Sequence, residues 1–497
     1  MEFYLYLPMT TIIVSFLGVV LCAVLNKKAA FITFVIDNII AFTLSLISFI
    51  YCFREGKSFR YSMGNYPAPF GNEIRFGSFE TMMCSVLLLV LLMSVIGGKK
   101  YFTRDIEDKK INFFYALTCL IQVAFIALSY TNDIFTGYVF LEITALASTG
   151  LLMIKNTGRS TLAAVRYMIF NLLGSSLFLI GIVILYDMTG YLSMEYIMAK
   201  VTEIELNPDK MPIITIVSAL MIIGLGIKAG LFPFHYWMPD TYGNATPASQ
   251  SILSSVVSKG YLILIIKIIY RTIGIENIRA THILDIIFVL GILGMIVGSF
   301  SAISQNHINR MIALSSVAQM GYIYMGLGLG TNIGLVAAIF HMLCHAVTKP
   351  ILFTSASRLI EISDFKKDFN SLKSSGYKDP LSGIAFSLGA LSMVGFPFVS
   401  GFISKYLFAE AAFEVDKIRA IFVIIALIVS TLLNAVYYIH TMITIFTSQE
   451  GITRLKAKNH SVLYITSISV FMLLNVMMFF LSGNLIKIIN SGIATLV

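Results

Sequence analysis

Two stretches of this 497-residue chain interrupt apolar helices in the same way: Gly224-Leu-Gly-Ile-Lys-Ala-Gly-Leu-Phe-Pro-Phe-His235 and Gly395-Phe-Pro-Phe-Val-Ser-Gly-Phe-Ile-Ser-Lys405. Proline lacks a backbone donor and clashes with the preceding turn, so each helix is predicted to break, at Pro233 and at Pro397. A lysine lies beside each break, Lys228 before the first and Lys405 after the second. Phe-Pro-Phe could recur by chance in a phenylalanine-rich chain, but two charged breaks favour a transporter built from inverted repeats.

The composition around these stretches is that of a membrane protein. Hydrophobic residues make up 57% of the chain and charged residues 12%, whereas soluble domains have roughly 45–50% and 25%. This excludes a water-soluble fold. Apolar runs long enough to cross a bilayer recur about fourteen times. The inverted-repeat interpretation divides the chain into N-terminal helices (1–111), a first inverted repeat (112–270), a second inverted repeat (283–446) and a C-terminal transmembrane helix (447–497).

The formal charge of +9 does not indicate nucleic acid, because the basic residues lie in short connections between the predicted spans. The positive-inside rule explains them, and their asymmetry predicts both termini on the outer side of the inner (cytoplasmic) membrane. Met1–Leu25 lacks a basic leader and a cleavage pattern, so we interpret it as a retained first span rather than a signal peptide.

The five cysteines are scattered, without the spacing of a zinc or iron–sulfur site. We therefore expect no metal, no cofactor and no redox centre in this chain.

Ionisable residues within the predicted spans are the candidate functional groups, because placing one at mid-membrane is costly unless it lines a polar path. Glu142 lies in the middle of its span, and its expected partner is Lys228, since an isolated buried carboxylate would protonate. A purely structural ion pair is the alternative. Lys259 follows three serines, Ser254, Ser255 and Ser258, which could line a hydrated path.

His341, His345 and Lys349 lie at i, i+4 and i+8, so they share one helix face. Histidine can relay protons because its ordinary pKa is near 6.5. Two histidines at this spacing could instead hold a metal or a haem, although no third ligand is evident. Lys405 completes the set, and the sequence does not decide whether Glu410 is its partner or lies at the outer interface.

The other polar residues of the spans are interpreted as structural, or are assigned no role. Lys267 is expected to extend to the membrane surface. His235, Trp237 and Asp240 are expected to have an interfacial structural role. Asp37 has no partner nearby in sequence and is assigned no role.

With these residues in hand, the chain resembles the antiporter-like subunits shared by respiratory complex I, energy-converting membrane hydrogenases and Mrp-type cation/proton antiporters. The resemblance is carried by Phe140-Leu-Glu-Ile143, Lys228-Ala-Gly-Leu-Phe-Pro-Phe-His-Tyr-Trp-Met-Pro-Asp240, Ala245-Thr-Pro-Ala-Ser249 with Lys259-Gly260, Ser315-Ser-Val-Ala-Gln-Met-Gly321, His345-Ala-Val-Thr-Lys-Pro350, and Gly395-Phe-Pro397 onward to Lys405.

The resemblance implies an all-α integral membrane protein of about fourteen transmembrane helices, with two inverted five-helix repeats and two broken helices. It implies that Glu142 and Lys228 form a pair, Lys259 is a bridge, His345 and Lys349 relay into the second half, and Lys405 is the terminal lysine. Some members carry glutamate at that last position or continue into a long lateral helix. The chain therefore looks most like the D-type Mrp subunit or its hydrogenase relatives.

We expect a proton-translocating subunit, with or without exchange for sodium, in a multisubunit ion-pumping complex. Other membrane subunits, and a hydrogenase or ferredoxin-oxidising module, are the expected partners, and whether the parent complex is an oxidoreductase stays open. Three alternatives remain: a stand-alone transporter of a small solute, a haem- or quinone-binding electron carrier, and a structural membrane anchor.

Overall fold

The computed structural model describes residues 2–205, 211–448 and 460–496. The first half contains α1 (Glu2–Val24), α2 (Lys27–Glu55), β1 (Phe59–Ser62), β2 (Glu73–Phe76), α3 (Ser78–Asp105), α4 (Ile111–Tyr130), α5 (Ile134–Met153), α6 (Gly158–Thr189), α7 (Met194–Glu205), α8 (Met211–Ala229), α9 (Met238–Asn244), α10 (Pro247–Ile252) and α11 (Ser258–Lys267). The second half contains α12 (Ile275–Ala280), α13 (Ile283–Ile303), α14 (Ile308–Gly328), α15 (Asn332–Ile362), α16 (Ser375–Lys378), α17 (Pro380–Val394), α18 (Ser400–Ala411), α19 (Lys417–Phe446), α20 (Val462–Phe480) and α21 (Ser482–Ala494).

The chain is a helical, multi-pass membrane protein. Among the described residues, 12 helical segments are long and apolar enough to cross a membrane. Two further predicted spans correspond to α14, whose polar residues lower its hydropathy, and to the pair α17 and α18, which the second break shortens. The total of fourteen stays a prediction.

Two helical segments form the centre of the molecule. Pro247–Thr272, which joins α10 and α11 through a wide π-helical turn at Leu253–Val257, is buried throughout its apolar window, and so is α15. Helices α1, α2, α6 and α19 lie outside them and expose apolar side chains such as Phe16, Leu172 and Ile421. Polar groups on the two central helices are thereby shielded from lipid, as a functional intramembrane charge requires.

Both predicted helix breaks are present. Helix α8 ends at Ala229, Gly230 adopts a left-handed φ of 82°, and a short turn at Phe234–Trp237 leads into α9. Helix α17 ends at Val394, and Gly395 adopts a φ of 87° before α18 begins. The breaks follow α4, α5 and α6 in one case, and α13, α14 and α15 in the other.

Several elements were not predicted. The connection between α2 and α3 forms an antiparallel hairpin in which Phe59 pairs with Phe76, a small exception to the all-helical expectation. Helix α7 lies in a segment for which no helix was predicted, and α21 is a second helix in the segment where a single C-terminal transmembrane helix was predicted. The proposed C-terminal unit, 447–497, includes residues 449–459 and 497, which lie outside the described residues.

Candidate functional site

The predicted contact between Glu142 and Lys228 is present. The Lys228 Nζ of α8 donates to Glu142 Oε1 of α5 over 2.9 Å. The lysine side chain is fully buried and the glutamate side chain is 28% exposed. Ser175 of α6 also donates to the same carboxylate oxygen, a contact that no sequence pattern indicated. The pair lies just before the first helix break, so its lysine occupies the C-terminal turn of α8, where the helix dipole favours a cation.

Lys259 is held by its own helix. The wide turn at Leu253–Val257 directs the Ser254 carbonyl toward the Lys259 ammonium, 2.8 Å away, and the Ser258 hydroxyl lies 3.3 Å from the same nitrogen. Such π-helical turns occur frequently at functional sites. The hydroxyls of Ser254 and Ser255 are buried and make no hydrogen bond within the described part of the chain. The predicted serine-rich surroundings of Lys259 therefore contain buried hydroxyls that lack a protein partner in the described residues and could bind an ordered water.

A direct contact joins the two halves of the chain. The Lys259 ammonium lies against His345 Nδ1 of α15, although the two residues are far apart in sequence. The His341 ring lies 6.5 Å from the His345 ring on the same face, and its Nδ1 is 2.5 Å from the Ser404 hydroxyl of α18. The structure thus brings Lys259, His345 and His341 into one buried row that leads to the second broken helix.

Lys349 lies on the other side of His345. Its ammonium donates to the Ser315 hydroxyl at 2.6 Å and to the Ile312 carbonyl at 2.8 Å, both on α14. Because His341 and Lys349 extend from His345 in opposite directions along α15, the row of ionisable groups branches at His345.

Lys405 follows the second break and folds back over it. Its ammonium donates to the Val394 carbonyl, the last of α17, at 2.6 Å and to Thr431 Oγ1 of α19 at 2.8 Å. It also lies 5.3 Å from the centre of the Tyr322 ring, which in turn lies 5.4 Å from the His341 ring. Gly395 makes room for this arrangement, since a Cβ there would come within 2.6 Å of Lys405 Cδ.

The expectation that Lys267 extends to the membrane surface is wrong. The residue is fully buried, and its ammonium donates to the Ser129 and Thr131 carbonyls at the C-terminal end of α4, the latter at 2.8 Å. The prediction failed because the whole segment Pro247–Thr272 is enclosed by other helices, which leaves Lys267 no lipid interface to reach.

The interfacial position expected for the residues after the first break stays a prediction. His235 and Trp237 are each only 3% exposed, and the Trp237 indole donates to the Ile227 carbonyl at 3.3 Å, so both lie inside the protein. Asp240 binds two arginines, Arg166 and Arg310. Glu410 is not the partner of Lys405, because its side chain is exposed and the Lys405 ammonium is held by other groups.

A second group of buried charges was missed by the sequence analysis. Glu80 and Arg271 form a fully buried ion pair at 2.7 Å, and Arg271 Nε donates to the Leu496 carbonyl at 2.9 Å. Both residues lie at the ends of predicted spans, where a charge is common and carries no signal of a partner. The ion pair connects α3 to the segment after α11, and the hydrogen bond to Leu496 connects that segment to the C-terminal end of the described chain.

No group of three or more His, Cys, Asp or Glu residues suited to a metal ion occurs within ranges 2–205, 211–448 and 460–496. His345 Nδ1 already contacts an ammonium.

Comparison with known proteins places the chain in a family. A family model described as "NADH:quinone oxidoreductase/Mrp antiporter, TM" matches residues 131–434. The chain belongs to this family. The matched range contains every residue of the predicted row from Glu142 to Lys405.

Individual relatives agree with this membership. The N-type subunit of the NADH-quinone oxidoreductase of Desulforudis audaxviator is 31% identical over 388 residues, which cover 77% of this chain and 74% of the relative. The D-type subunit of the Na(+)/H(+) antiporter of Alkalihalophilus pseudofirmus is 29% identical, with 71% and 69% covered. A chain of the membrane-bound sulfane sulfur reductase, an archaeal respiratory membrane complex, superposes with a TM-score of 0.87 at 25% identity, with 100% and 98% covered.

Proposed function

We propose that this chain is a proton-translocating, antiporter-like subunit of a multisubunit membrane complex, and that its protons move along the row from Glu142 to Lys405. The single observation that carries the proposal is the contact between Lys259 and His345. It joins the Glu142–Lys228 side of the molecule to the Lys405 side through groups that can each hold and release a proton.

Further aromatic and polar groups lie beside the members of the row. Lys228 Nζ lies 5.8 Å from the Tyr261 ring, and Tyr261 is on the same helix as Lys259. The Nε2 atoms of His341 and His345 are buried and lack a hydrogen-bond partner in the described residues. Buried polar atoms of this kind are usually satisfied by ordered water, and such waters would carry protons between the side chains.

Glu142 acts as the switch in this proposal. While its carboxylate contacts Lys228, it compensates the charge of the buried ammonium. If the carboxylate withdraws toward the exposed side, the ammonium is left buried without a counter-charge, and its proton is driven to the next acceptor. The contact at 2.9 Å and the partial exposure of Glu142 fit a group that can move.

The organisation of the chain supports the same proposal. The broken helix is the fourth transmembrane element both in 112–270 and in 283–446, as two inverted five-helix repeats would require. The positive-inside distribution supports outer termini in an inner membrane. Relatives named as subunits of larger complexes support membrane partners here, and a hydrogenase or ferredoxin-oxidising module belongs to the proposal.

Replacing single lysines in the assembled complex tests the function. Lys228→Ala and Lys405→Ala should each abolish coupled ion transport, measured as luminal pH change in proteoliposomes that contain the purified complex. Lys487→Ala, which removes an exposed lysine on α21, is the matched control and should transport normally. Full transport by either of the first two variants would refute the proposed path.

A further inference from the structure

A buried polar cluster lies away from the proposed row, where α1, α2 and α4 meet. It consists of Ser15 on α1, Asp37 and Asn38 on α2, and Gln122 on α4, of which Asp37 is 5% exposed and the others are fully buried. Gln122 Nε2 donates to Ser15 Oγ and to Asp37 Oδ2, each over 2.9 Å, and Asn38 Nδ2 donates to Gln122 Oε1 over 2.9 Å. All four residues lie well inside their helices, so the cluster lies within the membrane.

The charge of Asp37 is not compensated by the protein. Within the described residues Asp37 makes no ion pair, and its carboxylate accepts its hydrogen bond from a neutral amide. A carboxylate at this depth needs a counter-charge or a proton. The other titratable groups at this junction are the thiols of Cys22 on α1 and Cys119 on α4, whose sulfurs are 3.9 Å apart, and the Tyr115 phenol on α4. None of these supplies a positive charge.

The amides allow a second arrangement with the same backbone. The oxygen and nitrogen of a side-chain amide can exchange places by a half-turn. Asn38 Oδ1 accepts no hydrogen bond in the described chain, so turning Asn38 leaves no other partner unsatisfied. If Asn38 and Gln122 turn together, their mutual hydrogen bond is kept with the roles reversed. The Gln122 oxygen then occupies the place of the nitrogen that now lies 2.9 Å from Ser15 Oγ and Asp37 Oδ2.

We propose that Asp37, Ser15 and Gln122 form a site for one sodium ion that competes with a proton on Asp37. Hard cations take carboxylate, amide carbonyl and hydroxyl oxygens as ligands, and the turned cluster offers one of each. When sodium binds, the Asp37 O–H bond breaks, the proton leaves, and the sodium ion takes its place. The site is neutral in both states, so neither state leaves a buried charge uncompensated. This inference rests on the proposed ion-translocating function for its role, since it supplies the exchange of sodium for protons.

Gly18 gives a way to close the site without removing its ligands. A Cβ on Gly18 would lie 2.6 Å from Asp37 Cγ and 2.8 Å from both carboxylate oxygens. Gly18→Ala therefore forces the carboxylate away from Ser15 and Gln122. Gly158→Ala is the matched control, because a Cβ on Gly158 meets nothing within 4 Å.

Carbodiimide labelling reads the proton on Asp37 directly. The purified complex is treated with dicyclohexylcarbodiimide, which reacts with protonated carboxyl groups in apolar surroundings, and the label on Asp37 is measured by peptide mass spectrometry. Sodium chloride at about ten times the Kd should slow the labelling about tenfold, and choline chloride should not. Protection should be lost in Gly18→Ala and kept in Gly158→Ala. Equal labelling in sodium and choline, or undiminished protection in Gly18→Ala, overturns the proposal.

A second measurement decides the case if the reagent does not reach Asp37. Binding of ²²Na⁺ to the complex should fall by one ion per chain in Asp37→Asn, and equal binding in wild type and variant overturns the site. Lys228→Ala separates the two proposals, because it should keep sodium protection at Asp37. If Lys228→Ala transports normally and sodium still protects its Asp37 from labelling, only the proton path is refuted. If Lys228→Ala does not transport and sodium fails to protect Asp37 in the wild type, only the sodium site is refuted.

Discussion

Replacing Glu142 by Gln removes the carboxylate that contacts the Lys228 ammonium and leaves the size of the side chain almost unchanged. In the structure this contact is 2.9 Å long and its lysine side chain is fully buried. The variant therefore isolates the contribution of the Glu142 charge to transport and to stability. We expect it to lower both the rate of coupled transport and the stability of the folded protein.

The magnitude follows from the burial of the pair. Removing one partner of a fully buried ion pair costs about 3–5 kcal/mol. Because the Glu142 side chain is 28% exposed, we take a lower value of about 2–3 kcal/mol, which lowers the ratio of charged to neutral Lys228 by about 30- to 150-fold. If proton transfer starts from the charged lysine, transport should fall by a similar factor.

The assay is the initial rate of luminal pH change in proteoliposomes, run beside thermal unfolding of the same preparation. Glu410→Gln, which changes an exposed acid on α18, controls for the loss of one negative charge. The double variant Glu142→Gln/Lys228→Gln should recover much of the lost stability, because no charge is then left buried, but should stay inactive. Wild-type transport by Glu142→Gln would show that this pair does not control the path.

Three further outcomes can be measured on the same preparations. His345→Gln keeps a polar side chain that cannot carry a proton, so proteoliposome transport should fall more than about tenfold while thermal unfolding changes little. Lys267→Met should instead lower stability by about 1–3 kcal/mol, because its hydrogen bonds are lost. Arg271→Met should lower stability by about 3–5 kcal/mol, because it leaves Glu80 buried and unpaired. A transport defect at full stability in either variant would contradict this assignment. Burial and two neighbouring cations lower the pKa of His307 to about 4. As the pH falls from about 6.5 toward 4, the unfolded chain takes up a proton before the folded chain does, so thermal stability should decline. His307→Gln should flatten that decline.

The features of the fold that were predicted are those with a strong local cause. A proline can end a helix within an apolar run, and α8 and α17 end shortly before Pro233 and Pro397, whereas α15 continues through Pro350. The hairpin that pairs Phe59 with Phe76 was not predicted, because a short two-stranded ribbon is stabilised by the helices it packs on. Helices α7 and α21 escaped prediction for a related reason, since neither is long enough to be recognised as a membrane span.

The site was predicted as a set of residues but not as a geometry. Glu142, Lys228 and Lys259 were recognisable because charge is costly at mid-membrane. The contact between Lys259 and His345 depends on how the segment Pro247–Thr272 packs on α15, which no local pattern specifies. Lys267 was misjudged for the same reason, because the burial of a helix is a property of its neighbours and not of its own sequence.

A common principle explains how the row can hold several amines in one apolar interior. Lys259, Lys349 and Lys405 each donate to a backbone carbonyl, those of Ser254, Ile312 and Val394. A carbonyl stabilises an ammonium but stays neutral when the proton leaves, so each of these lysines can release its proton without leaving an opposite charge behind. Lys228 depends instead on a carboxylate, whose charge would be left uncompensated when the lysine is neutral. In the proposed path, the carbonyl-bound lysines therefore leave no opposite charge behind when they release a proton, and the Glu142–Lys228 pair controls the direction of proton movement.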